Sequence, residues 1–288
     1  MSHRRELEKH RHKLGEIREM MDAMKTMAYM ETRKLVHFLD AQIAVVDTIE
    51  RVATDFVSYY PEALPKYSKA LDVYLLVGSE RGFCGNFNTT LMESYKLEVI
   101  NNPIRESVQI AVGRKLHTTF DDRGDKMISI DGANVVEEID IVLGQVIDTL
   151  AELQKKHKIL SLSVLYHGGD ERKVLIEKLL PPFEQYKANR KNQCYAPLIN
   201  IPADELLLEL SEHYLFAALY KILYISLMAE NHSRVEHLEN AVKKLDEKLS
   251  QLVSQENRVR QEEIIEEIEI ILLSADNLTA KMRGNARD

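Results

Sequence analysis

Near the N-terminus apolar residues recur at alternating steps of three and four: Leu14, Ile17, Met21, Met24, Ala28, Leu35, Phe38, Val45, Ile49, Val52 and Phe56, interrupted at Glu31 and Gln42. One stripe held at heptad spacing over so many turns predicts a coiled-coil seam, not a helix lying on a broad globular core. Pro61 and Pro65 end this helix, because proline lacks the N–H that a helix interior needs. Residues 1–60 therefore read as one coiled-coil helix.

The pattern then changes to short apolar runs divided by turn residues. Strands are predicted at Asp72–Gly78, Ser107–Gly113, Met127–Ile130, Ile159–His167 and Lys173–Leu179, with helices at Thr89–Ile100, Arg114–Asp122 and Asn134–Lys156. Alternation of this kind predicts a partly parallel sheet covered by helices, a central α/β domain over 70–200.

After Pro202 the chain has no further proline and no glycine before Gly284. Asp204 is placed to help start a helix. An unbroken helix over 203–283 would be roughly 120 Å long, more than a compact domain can bury. Leu206–Met228 is apolar over a broad face and should pack on the sheet. Val235, Leu238, Val242, Leu245, Leu249 and Leu252 keep strict heptads, after which the stripe shifts to Val259, Ile264, Ile268, Ile271 and Leu272, a change of register that alters local winding. Two terminal helices with seams predict an antiparallel coiled coil, so the fold class is α/β with long terminal helices around a central, partly parallel sheet domain.

Charge narrows the function. The net charge of −8 argues against nucleic acid as the main partner, since phosphate binding draws on clustered Lys and Arg. His3, Arg4, Arg5, Lys9, His10, Arg11, His12 and Lys13 form a basic head broken by Glu6 and Glu8, read either as a solvated helix face or as an arm toward an acidic partner. No run of about 18 apolar residues is present to cross a bilayer. No apolar signal segment follows the charged start, so the chain is expected to be soluble and not exported, without direct bilayer insertion. Cys84 and Cys194 have no metal or CxxC spacing, and a reducing compartment is the simpler reading.

Three segments carry a resemblance. Val77–Leu91, VGSERGFCGNFNTTL, closely resembles the strand, loop and helix of gamma subunits of F-type ATP synthases. Ala23–Ala28, AMKTMA, with Thr32, Arg33, Lys34 and Leu35 after it, is similar to the N-terminal motif of that family. Asn257, Arg260, Gln261, Ile264, Glu267 and Ile268 are similar to its C-terminal one. The three stand in the family's order and span essentially the whole chain. The resemblance implies a rotor, its paired helices inside a ring of alternating alpha and beta subunits and its sheet domain near the epsilon subunit and the membrane c-ring. It implies no catalytic groups and no cofactor. Met24 and Lys25 would face a moving beta-subunit segment; Arg260 and Gln261 would meet beta-subunit loops; Arg33 and Glu267 would be further beta-subunit or rotor contacts; Arg81, Gly82, Cys84, Gly85 and Asn88 would form the loop at the top of the sheet domain. A peripheral location on the cytoplasmic face of a bacterial inner membrane follows from the same likeness. Arg18–Asp22, Ile265 and Ser274 depart from the family pattern and point to a divergent branch, with sodium-pumping relatives as one home for it.

Other readings compete at several of these positions. Gly78, Gly82 and Gly85 between strand and helix could suggest a phosphate cradle, yet neither GxxxxGK[ST] nor GxGxxG is present, and a tight turn with unusual backbone angles explains them as well. Met20, Met21, Met24, Met27 and Met30 could make an adaptable surface, with at most half of them in the seam. Glu262, Glu263, Glu266, Glu267 and Glu269 read as a solvated face or as a match for a basic loop. His232 and His237 lack the i, i+4 spacing of a helical metal pair. A free-standing coiled-coil scaffold and a nucleotide-binding α/β enzyme are the alternative functions.

Overall fold

A computed structural model describes residues 2–64, 71–101, 107–120, 127–157, 160–168, 173–183 and 198–284. The helices are α1 (Ser2–Tyr59), α2 (Phe87–Asn101), α3 (Arg114–Phe120), α4 (Ile139–His157) and α5 (Ala203–Gly284); the strands are β1 (Leu71–Val77), β2 (Ser107–Val112), β3 (Met127–Ile130), β4 (Leu160–His167) and β5 (Val174–Leu180). Every predicted element is present. Of the predicted bounds, Pro65, Asp122 and Ile159 lie outside the described residues, as does Cys194. The chain divides into two compact units, Thr26–His237 and Met1–Lys25 with Leu238–Asp288.

In the Thr26–His237 unit the sheet has the order β3-β2-β1-β4-β5. Strands β1 to β4 pair in parallel and β5 runs antiparallel against β4. Parallel neighbours need a crossover, and α2, α3 and α4 supply the three. Alternation along the strands feeds two cores. On one face Val73, Leu75, Val77, Ile110, Leu162 and Val164 pack with Val142, Val146 and Leu150 of α4, with Leu219, Ile222 and Leu223 of α5, and with the lower part of α1. On the other, Tyr74, Leu76, Ala111 and Leu165 meet Leu91, Met92 and Tyr95 of α2 and Leu116 of α3. A sheet covered on both faces explains why β1 reads as a continuous apolar run.

On α1 one half of the expected stripe is corrected. Ala28, Leu35 and Phe56 are buried and Gln42 and Ile49 half-buried as the spacing predicts, but Phe38, Val45 and Val52 are each about half exposed. Their places are taken one residue later by Leu39, Val46 and Ala53, in the same file as buried Thr32, which follows Glu31. A three-and-four repeat admits a second file at either the third or the fourth residue, and large apolar side chains stand in both at 38/39 and 45/46. Thr32 is tolerated in the buried file because its hydroxyl donates to the carbonyl of Ala28 at 3.0 Å, which satisfies its polar atom.

In the other unit the two helix ends pair antiparallel, since their contacts run in opposite directions along the chain. Arg18 reaches Asp246 at 3.0 Å, Arg11 reaches Glu256 at 3.0 Å and Arg4 reaches Glu263 at 3.5 Å. Leu238, Val242 and Leu252 are buried, and Leu245, Leu249, Glu256, Val259 and Glu263 are half-buried. The heptad therefore continues in register, and the expected shift to Ile264, Ile268, Ile271 and Leu272 does not occur: those four are exposed. Glu256 and Glu263 hold seam positions because arginines from the basic head meet them. The basic head is thus partly spent within the chain, a use that the sequence reading did not consider.

Candidate functional site

The segment from Gly78 to Asn86 connects β1 to α2 at the carboxyl ends of the strands. In open α/β sheets this is the side where ligands bind, where strand order turns back, and here β1 is the turning strand. The loop carries two left-handed residues, Phe83 (φ 64°) and Gly85 (φ 61°). The reading of unusual backbone angles therefore holds at Gly85, whereas Gly78 and Gly82 are not left-handed and the second left-handed residue is Phe83. Across from it, Gly113 has φ 110°, and a Cβ there would lie 2.7 Å from the carbonyl oxygen of Ser79. Only glycine fits that conformation and that approach.

Two buried carboxylates organise the loop. Glu80 accepts the backbone N–H of Arg114 and of Gly132, both at 2.8 Å, and the Arg114 guanidinium at 3.0 Å. It thereby ties together the ends of β1, β2 and β3. Glu230 of α5 accepts the N–H groups of Glu80 and Arg81, both at 3.2 Å, and pairs with Arg234 one turn along. The adjacent backbone N–H pair of Glu80 and Arg81 is occupied by the chain's own carboxylate. Burial holds the Glu230 proton more tightly than usual, against the opposing pull of Arg234 and of the two N–H groups.

Arg234 also donates to the carbonyl of Gly82 at 3.3 Å and to Asn231 Oδ1 at 2.5 Å, and the Ser233 hydroxyl donates to the Cys84 carbonyl at 2.8 Å. The Arg81 side chain meets Asn134 at 2.7 Å. Asn88 closes the loop from α2, accepting the Ser79 N–H and donating to its hydroxyl, both at 2.9 Å. The Cys84 thiol is buried beside Phe87 and Ala229, and burial pushes its pKa up to about 12, so it stays protonated and unreactive near neutrality.

Of the residues expected from sequence, Arg81, Gly82, Cys84 and Gly85 come together in this loop, and Asn88 meets it from the first turn of α2. Met24 is half-buried, and the Lys25 ammonium pairs with Asp22 at 2.8 Å. Arg33 lies over the Tyr29 ring at 5.3 Å. Arg260, Gln261 and Glu267 are exposed along α5. Met20, Met27 and Met30 are exposed, which leaves Met21 and Met24 as the half-buried pair of the five. Among the described residues no group of His, Cys, Asp and Glu could hold a metal. Sequence reading missed Glu80, Glu230, Ser233 and Arg234 as partners of the loop. The i, i+4 spacing of Glu230 and Arg234 was visible, but the same spacing occurs on many solvated helix faces.

A family model described as ATP synthase matches residues 3–278. The ATP synthase gamma chain of Clostridium botulinum (strain Hall) is 24% identical over 274 residues, covering 90% of this chain and 93% of that one. The gamma chain of Syntrophus aciditrophicus is 26% identical over 203 residues, 67% of this chain and 68% of that one. Among solved structures, the central stalk and ring of Tetrahymena thermophila mitochondrial ATP synthase contains a chain of similar fold, with TM-score 0.59 and 17% identity over 77% of this chain and 99% of that one. A chain of Euglena gracilis mitochondrial ATP synthase matches with TM-score 0.59 and 17% identity over 97% of this chain and 95% of that one. Long N- and C-terminal helices around a five-stranded sheet are the fold they share. The chain belongs to the ATP synthase family, as one of its gamma chains.

Proposed function

We propose that this chain is the non-catalytic central shaft of a rotary ATP synthase, turning within a ring of alternating alpha and beta subunits and seated on the epsilon subunit and the membrane c-ring. The observation that carries the reading is the match of the family model across residues 3–278, both terminal helices included. The antiparallel pairing of the helix ends supports it, as does a loop whose anion-binding N–H groups are already filled by Glu230. No described helix is long and apolar enough to cross a membrane, which agrees with a peripheral position. We assign that position to the cytoplasmic face of a bacterial inner membrane.

The mechanism is one of differential contact. A shaft that presents different side chains to each catalytic subunit stabilises a different conformation in each, and rotation moves those preferences around the ring. Met24 and Lys25 are assigned to a moving beta-subunit segment, Arg260 and Gln261 to the loops that hold the upper shaft, and Arg33 and Glu267 to further beta-subunit or rotor contacts. Their exposure on α1 and α5, full or partial, leaves side-chain surface for such contacts. The scaffold and nucleotide-enzyme alternatives gain no specific observation.

Purifying a tagged form of the chain from its native membranes tests the reading. ATP-hydrolysing alpha and beta subunits should accompany it, in excess over the chain itself. A self-associated chain without such partners would overturn it.

A further inference from the structure

Within the Thr26–His237 unit, α5 is held to the sheet mainly by apolar side chains such as Leu219, Ile222, Leu223 and Leu227. Apolar contact is non-directional, so it fixes the distance of a helix from its core better than its rotation about its own axis. One stretch of α5 differs. Glu230, Ser233 and Arg234 each bond to the loop after β1, at Glu80, Arg81, Gly82 and Cys84. These three residues occupy one face of the helix. Glu230 and Arg234 are almost wholly buried, where charge-assisted hydrogen bonds are strong and directional. Glu80 in turn fastens that loop to the starts of the segments after β2 and β3. A rotation of α5 at this point would break several buried polar bonds at once. The clamp also sits on the last turns of α5 inside this unit, which ends at His237.

We propose that Glu230 and Arg234, with Ser233, are positioning residues that carry twist between α5 and the sheet through the Glu80–Cys84 loop. The role rests on the shaft reading, because twist matters only if the chain transmits torque. The clamp resists slippage of the helix against the sheet under load, and it acts through the loop without touching nucleotide or the transported ion.

The test uses the intact complex, assembled with variant chains and reconstituted in lipid vesicles. ATP hydrolysis is measured alongside the membrane potential it generates, a signal that reads charge movement whichever ion is carried. Glu230→Gln and Arg234→Met should keep hydrolysis while lowering the charge moved per ATP several-fold. Each leaves a buried charge unpaired and should also lower the yield of complex. The double variant Glu230→Gln/Arg234→Met removes both charges, so its yield should recover while its coupling stays low. Ser233→Ala loses one hydrogen bond only; it should assemble normally and show a smaller fall, largest when the opposing potential is high. A purely structural role predicts a different pattern, in which every assembled variant moves as much charge per ATP as the parent, and that result would overturn the proposal. Failure of the shaft reading is separately recognisable, since the unmodified chain would then recover no ATP-hydrolysing complex.

Discussion

Cys84 illustrates how burial sets the chemistry of one side chain. Its thiol has little solvent contact, and the pKa rises from an ordinary 9.0 to about 12. The folded chain therefore holds this proton where the unfolded chain releases it. Stability contributed by the protonated thiol is full below about pH 9 and is lost as pH rises toward about 12. Alkylation of Cys84, followed site by site by mass spectrometry at pH 8, should be far slower in the native chain than after denaturation. Equal rates in both states would contradict the burial. At Gly113 the argument is steric. Gly113→Ala must place a methyl 2.7 Å from the Ser79 carbonyl at a φ of 110°, and a loss of about 2–3 kcal/mol is expected by chemical denaturation. The glycines of the β1 loop were visible in sequence, but their partners were not. Glu230 lies about 150 positions from Glu80 and Arg81, and nothing local marks which of many acidic helix residues folds onto a distant loop.

At the scale of elements, the strands and helices of the sheet domain were legible because their apolar runs and breakers are local signals. The α1 stripe shows the limit of such signals. Its shared file, through Ala28, Leu35, Ile49 and Phe56, could be read directly. The second file had apolar candidates on both sides, and only tertiary packing selects Leu39 and Val46 for the core, leaving Val45 exposed and Phe38 at its margin, stacked on Tyr224 of α5. Leu39→Ala should therefore cost about 2–4 kcal/mol, whereas Val45→Ala should cost under about 1 kcal/mol; denaturant midpoints of the two variants decide between the files. On α5 the isoleucines at 264, 268 and 271 attracted the reading because they are strongly apolar, whereas the real seam passes through Glu256 and Glu263. A carboxylate in a seam is unexpected until its arginine partner is known, and Arg11 and Arg4 come from the opposite end of the chain. Arg11→Ala together with Arg18→Ala should loosen the paired helix ends, seen as faster amide exchange near Asp246 and Glu256. Unchanged exchange would show that the apolar seam alone holds them.

For the whole molecule, the three short segments similar to F-type gamma subunits and the match over residues 3–278 lead to one family, although identity to its gamma chains is only 24–26%. Function at this scale depends on subunits around the shaft, so residue roles such as those of Arg260 and Gln261 belong to the assembled machine. Replacing both with alanine removes the two side chains proposed to meet the beta subunits, each worth about 1 kcal/mol or more if it anchors a contact. ATP synthesis by the intact complex should fall about tenfold or more, and unchanged synthesis would remove them from the contact surface. A shaft must turn. A visible probe fixed to its sheet domain, with the alpha and beta ring held to a surface and ATP supplied, should rotate continuously in one direction in discrete steps. A probe that stays still while the same complexes hydrolyse ATP would show that this chain is not the rotating shaft.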